Sequence, residues 1–304
     1  MKFFPAIIGT ALISIWTASA QVTVEVRTDQ EQFLPNETLP VAVRISNSSG
    51  QTLHFGADQD WLHFSVESAD GFIVLKNGEA PVLGEFDVQS SQVATRRVDL
   101  APYFNLLHTG RYKVTARVHI NEWNTDVTSA PKNFDIINGA QIWSQDFGLP
   151  LPEGVTNQMP EVRRYTLVQA NYLKTQLRLY AQVTDQTGAQ VYKVLPIGTF
   201  VSFSHPDALL DRANNLHVLW QTGSSAFTYV QISPNGDILD QNIYDYFNSR
   251  PRLKANDDGD INVLGGVPRR RISDTPLIMS PDEVGTPPVK ATNTISKPVP
   301  AAKS

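Results

Sequence analysis

"SHPDALLDRANNLHVLWQTG", residues 204–223, joins a polar turn to a short apolar strand, and the chain repeats the phrase at 249–266 as "SRPRLKANDDGDINVLGG". Ser204 matches Ser249, Pro206 matches Pro251, and Val218-Leu219 match Val263-Leu264. Asn214-Asn215 and Asp258-Gly259-Asp260 stand where a tight hairpin loop needs a positive φ. A further copy is read upstream at "PEVRRYTLVQANYL", opened by Pro160 as the later copies are opened by Pro206 and Pro251. The next strand carries a Tyr-x-Gln pattern, so that Tyr180, Gln182 and Gly188 correspond to Tyr229, Gln231 and Gly236. A closing strand follows, "AQVYKVLPI" or "DILDQNIY", and the third copy stops after its second strand. Self-similarity at a period of about 45 residues with four strands per unit is the signature of propeller blades. Roughly two and a half units are encoded, against about four to eight in a closed propeller. Three arrangements stay open: a stack of β-meanders, a propeller completed by another chain, or a second sandwich.

Upstream of the repeats the pattern is a half-buried strand's period of two. "VTVEVRT" sets Val22, Val24 and Val26 on one face, and "LPVAVRISN" does the same with Leu39, Val41, Val43 and Ile45. Turn signals recur at Pro35-Asn36, Asn47-Ser48-Ser49-Gly50, Asp70-Gly71, Asn77-Gly78 and Thr109-Gly110, with "TLHFG", "LHFSVES", "FIVLK", "VATRRVDL" and "RYKVTARVHI" read as strands between them. This spacing suits an immunoglobulin-like β-sandwich, in which Tyr112 anchors the preceding corner through its hydroxyl. Asn36-Glu37-Thr38-Leu39, Asn47, Leu53-His54-Phe55, Phe64-Ser65-Val66 and Asp70-Gly71 follow a progression that resembles the bacterial intracellular proteinase inhibitor family and related immunoglobulin-like domains. The resemblance covers about the first third of the chain and implies the sandwich fold.

The expected fold class is therefore all-β: an N-terminal immunoglobulin-like sandwich and a C-terminal incomplete propeller-like repeat domain. The expected division is a signal peptide at 1–20, the sandwich at 21–138, a linker at 139–158, the repeats at 159–267 and a Pro-rich, mostly disordered tail at 268–304. The signal peptide is read from Lys2, the apolar stretch Phe3 to Trp16 and the small residues of Ala18-Ser19-Ala20, with cleavage after Ala20. The apolar stretch is about 14 residues long against the ~20 a membrane span needs, so no stable membrane insertion is expected after cleavage. Past Val267 the tail has no Phe, Trp or Tyr and many prolines, too little apolar surface to offset its ordering entropy.

The 304-residue chain has no cysteine, which excludes disulfides, thiolate metal sites and cysteine nucleophiles. An exported chain without cysteine fits a bacterial periplasm or exterior. The net charge of −5 argues against a nucleic-acid partner. "ANDDGDINV" has Lys254 where a calcium loop needs its first acidic ligand, so it reads as a turn. Histidines 54, 63, 108, 119, 205 and 217 form no metal-binding motif, and no G-x-S-x-G elbow occurs. No catalytic residue, metal or cofactor is expected.

What remains is a binding constellation. Trp220, Tyr244, Tyr246, Arg250 and Arg252 fall near adjoining strand ends, and aromatic residues with arginine are favoured at recognition sites. The alternative is that Trp220 and Tyr244 are core residues. The sequence thus points to an exported, non-enzymatic binding or structural protein of the bacterial envelope that contacts a protein or glycan through its β-repeats. Self-association through an open sheet edge is a further expectation, since the third copy leaves its outer strand without a neighbour. The other readings are an exported carbohydrate-active enzyme and a protease inhibitor acting through sandwich loops.

Overall fold

The computed structural model describes residues 21–149 and 160–269, together with the two-residue strand Asp282–Glu283. The expected signal peptide and most of the expected tail lie outside these residues. The regular structure of the described residues is nearly all β, with three short 3-10 turns as the exceptions.

The first unit holds β1 (Val22–Thr28), β2 (Gln32–Phe33), β3 (Pro40–Asn47), β4 (Leu53–Phe55) and β5 (Leu62–Ser68). It continues with β6 (Phe86–Val88), β7 (Val93–Asp99), β8 (Gly110–Ile120), β9 (Thr125–Thr128) and β10 (Lys132–Ile136). One sheet has the order β1-β3-β7, extended at β7 by Asp282–Glu283, so the tail read as disordered carries this short pairing. The other runs β2-β10-β8-β5, with β9 also paired to β8, and β4 pairs with β6 in a separate ribbon. The alternating apolar residues of β1, β3 and β8 enter one core shared by the two main sheets. Each buried valine or isoleucine there contributes roughly 1.5–3 kcal/mol relative to an exposed one.

Tyr112 behaves as its position implies. Its hydroxyl donates to the carbonyl of His108 at 2.6 Å, and its ring stacks on Phe134 with centroids 5.5 Å apart. Tyr112→Phe keeps the stack and loses the bond, so we expect a loss of about 1 kcal/mol in urea titrations. No measurable change would show that the corner is held by packing alone. The expected strand "FIVLK" is absent. Residues 72–76 lie in a loop tied by a single bridge between Lys76 and Phe104, and Phe72, Ile73 and Leu75 are exposed. Four successive apolar residues have no alternation, so nothing in them selects a buried face.

The second part contains a meander of β11 (Ala140–Gly148), β12 (Val162–Leu173), β13 (Gln176–Asp185) and β14 (Val191–Thr199). A second meander follows with β15 (Asp207–Leu210), β16 (Leu216–Gln221), β17 (Ala226–Ile232) and β18 (Ile238–Asp245). The hairpin β19 (Arg252–Ala255) and β20 (Ile261–Leu264) comes last, and β21 (Val267–Pro268) returns to pair with Tyr244 and Asp245 of β18. β21 thus covers part of the outer edge of the second meander, whereas β20, the strand expected to lack a neighbour, pairs only with β19 among the described residues.

The repeat seen in the sequence is a backbone repeat. Asp207 pairs with Leu219 as Arg252 pairs with Leu264. In each loop the first residue's side chain accepts the last residue's amide: Asp211 from Asn215 at 2.8 Å, and Asn256 from Asp260 at 2.7 Å. The residues with positive φ are Asn214 (61°) and Gly259 (79°).

Three sequence assignments need correction. The linker expected at 139–158 contains β11, which supplies the first strand of its meander; residues 150–159 lie outside the described residues. Consequently Pro160 precedes a second strand, whereas Pro206 and Pro251 precede first strands, and the copies do not begin alike. The Tyr-x-Gln match also slips by one residue. The β-turns align Gly188 with Gly236, since their amides donate to Asp185 and Ser233 respectively. In that register Tyr229 is the counterpart of Ala181. A one-residue slip reverses the face of every side chain. Accordingly Tyr180 packs toward the sandwich, while Tyr229 packs toward the last hairpin.

With the register corrected, all units face the same way along the stack. Leu179, Ala181 and Val183 of the first meander meet Leu216, Val218, Trp220, Val230 and Ile232 of the second. The opposite face of the second meander, with Leu219, Phe227 and Tyr229, meets Leu253 and Val263 of the hairpin. Arg252 and Lys254 alternate with Leu253 and are exposed, which gives the stack a polar end.

Candidate functional site

The sheet alternation that builds the stack also separates the five expected binding residues. Trp220 points toward the first meander and is 1% exposed, with its indole N–H donating to the carbonyl of Thr199 at 2.8 Å. Tyr244 lies directly across from Phe227 on the opposite face and packs beside Leu253 and Val263. Trp220 and Tyr244 therefore do not share a surface.

The other three are near one another in the segment that leaves β18 and returns as β19. Tyr246 is 53% exposed and its neighbour Phe247 is 62% exposed. Arg250 places its guanidinium 5.4 Å from the centre of the Phe227 ring, and Arg252 is exposed as the first residue of β19. The segment is held in place. The amide of Tyr246 donates to Ser225 at 2.7 Å, and Asn248 takes a left-handed φ of 58°. Gly266, with φ 66°, lies so close that a Cβ there would come within 2.6 Å of Pro251 and 2.9 Å of the Asp245 carbonyl. Asp245 is engaged by the Arg269 guanidinium, whose hydrogen bond holds the carboxyl below its ordinary range. The outcome is a fixed turn with two exposed rings and two exposed arginines. Phe247 was missed in the sequence reading, although it adjoins Tyr246.

A buried polar group lies toward the other end of the second meander, beside the 211–215 loop. His217, 4% exposed, receives the Tyr229 hydroxyl at Nδ1 (2.8 Å) and contacts Asp211 from Nε2 (3.2 Å). A neutral ring meets both contacts only with its proton on Nε2. Burial raises the Tyr229 hydroxyl to about 12, and the negative charges of Asp240 and Asp211 act in the same direction. Burial also pushes the Asp211 carboxyl up, but hydrogen bonds from Asn215 and His217 outweigh it and leave the carboxyl below its usual range. These groups are satisfied by one another. The sequence clue was the single histidine in the apolar run "LHVLW".

A second polar surface occupies the outer face of the sandwich. Two adjoining hollows of about 640 and 530 Å³ share His63 and Arg117. His119 is 2.7 Å from Asp126, Arg117 is 3.8 Å from the same carboxylate, and His63 is 3.4 Å from Glu79. Cross-strand pairing assembles this surface, so no local motif announced it. Among the described residues, no group of three or more His, Asp or Glu side chains is placed to hold a metal ion, and no helix is long and apolar enough to cross a membrane.

No family model and no curated protein matches the chain. Among solved structures, the sporulation control protein Spo0M from Bacillus subtilis aligns at 9% identity over 67% of this chain and 80% of its own, with a TM-score of 0.30, a likeness too slight to bear on fold or function.

Proposed function

We propose that this is an exported, non-enzymatic binding or structural protein of the bacterial envelope, which holds a protein or glycan partner at the outer end of its β-repeats. The observation that carries the reading is the fixed turn in which Tyr246 and Phe247 are exposed beside Arg250 and Arg252. Large rings desolvate readily and arginine binds through planar, multidentate contacts, so this composition suits recognition. The burial of the Asp211–His217–Tyr229 group supports a structural role for it. The same-sense stacking of the meanders supports a propeller-like reading of the repeats, and the shared core of the first two sheets supports an immunoglobulin-like reading of the sandwich.

The test is a glycan, peptidoglycan and envelope-protein binding array, followed by affinity measurements on the strongest hit. Tyr246→Ala/Phe247→Ala and Arg250→Ala/Arg252→Ala are each expected to weaken binding at least about tenfold with unchanged thermal transitions. Full binding by both double variants would place the contact elsewhere, and turnover of the bound material would replace the reading with an enzymatic one.

A further inference from the structure

The third repeat stops at a hairpin whose outer edge keeps the pattern of a strand with a neighbour on each side. In its loop the Asn256 amide donates to the Asp260 carbonyl at 2.9 Å, so the pairs Lys254/Asn262 and Arg252/Leu264 carry the ladder bonds between β19 and β20. The backbone groups of Ile261 and Val263 alternate with these and point to the outer edge of β20. The far edge of the hairpin follows the same alternation, since the Leu253 amide donates away from β20, to Asp207 at 3.3 Å. In the second meander the equivalent groups belong to Leu216 and Val218, and they are taken by Ile232 and Val230 of β17. Among the described residues no strand stands in that place beside β20. The chain itself turns aside: Gly265 and Gly266 take left-handed φ of 79° and 66°, and β21 pairs with β18 instead. A two-stranded hairpin therefore faces a sheet of five strands.

We propose that the outer edge of β20 is a strand-acceptor site, filled by an extended segment of a partner protein that adds antiparallel as the third strand of this repeat. This names the partner class for the binding end described above and rests on that reading. The repeat fixes the register and the chemistry of the incoming segment. One of its residues exchanges backbone bonds with Ile261, and the residue two positions earlier does so with Val263, as Ile232 and Val230 do with Leu216 and Val218. Val230 and Ile232 enter the core between the two meanders together with Leu216 and Val218. Because the units stack in the same sense, the incoming residues at those two positions face Leu219, Phe227 and Tyr229 beside Val263. They are therefore apolar and alternate with polar ones. Tyr244 shares that face, across from Phe227, and is only half-buried, which leaves contact area for them. The fit between edge and occupant is one of main-chain spacing, which a glycan chain does not reproduce.

The test uses the full chain and the synthetic peptide Ala-Phe-Thr-Tyr-Val-Gln-Ile, which copies β17 (Ala226–Ile232). At saturating peptide, exchange protection of the Ile261 and Val263 amides is expected to rise at least about tenfold, while the Asn262 and Leu264 amides, already bonded to β19, change little. N-methylation of the peptide's valine and isoleucine, whose amides face β20, is expected to abolish binding. N-methylation of its tyrosine and glutamine, whose amides face away, is expected to leave binding intact. No binding, an equal loss with both methylated peptides, or protection gained elsewhere than at Ile261 and Val263 would overturn the proposal. So would a dimer of the chain that the peptide dissociates, since a second copy would then be the occupant. If the peptide fails while Tyr246→Ala/Phe247→Ala still weakens binding to the strongest array hit, the binding end stands and only the strand-acceptor site falls.

Discussion

Trp220→Ala is expected to destabilise the protein by about 3–5 kcal/mol, measured by urea denaturation. The indole lies between the two meanders, among Leu216, Val218 and residues of the first meander, and cannot be replaced by water without opening a void. Gly198 shows how closely it is packed. That residue has φ 149°, and a Cβ there would come within 2.9 Å of the indole Cζ2. Loss of the ring also leaves the Thr199 carbonyl without its indole donor. Trp220→Phe keeps most of the apolar volume and should cost roughly half as much. A stable Trp220→Ala variant with impaired binding would mean the residue belongs to a surface after all.

Asp211→Ala is expected to cost about 2–3 kcal/mol, read from the same titrations. Its carboxylate accepts the Asn215 amide and side chain and faces His217 Nε2, so its removal leaves a buried donor unsatisfied. The repeat supplies a control, because Asn256 occupies the corresponding place in the last hairpin and accepts the equivalent amide. Asp211→Asn should therefore keep the backbone bond of the turn and lose the interactions that the second carboxylate oxygen makes with His217 and the Asn215 side chain. The pH dependence has a definite sign. With its folded value below the ordinary 3.8, Asp211 contributes stability that is present above that value and lost as pH falls through the folded value. Equal losses in the alanine and asparagine variants would show that the turn contributes little.

Local chemistry explains what the sequence made legible. The hairpins at 207–221 and 252–264 were readable because their loops require Asn214 and Gly259, and these requirements repeat with the period. Tyr112 was readable because a tyrosine just past a turn glycine has its hydroxyl aimed at the preceding corner. β11 was hidden because the Pro- and Gly-rich residues after it dominate the composition of that stretch, while its pairing partner β12 lies beyond them. The Tyr-x-Gln slip shows the limit of matching residue types, since only the turn glycines fix which face a side chain takes. Trp220 was ambiguous for a related reason. Its strand is apolar on both faces, so periodicity could not distinguish a core tryptophan from a contact. The surface of His63, Arg117, His119 and Asp126 depends on cross-strand pairing and left no mark in any one segment.

The repeats bury one another, so that the turn at Tyr246–Arg252 is carried by a single continuous frame. Residue-resolved amide exchange of Trp220→Ala against the wild-type protein tests this most directly. Protection is expected to fall in β12 and β13 of the first meander as well as in β16 and β17, because all four strands share the core that the indole fills. A loss confined to β16 and β17, with β12 and β13 fully protected, would show that the meanders are independent and would contradict the stack.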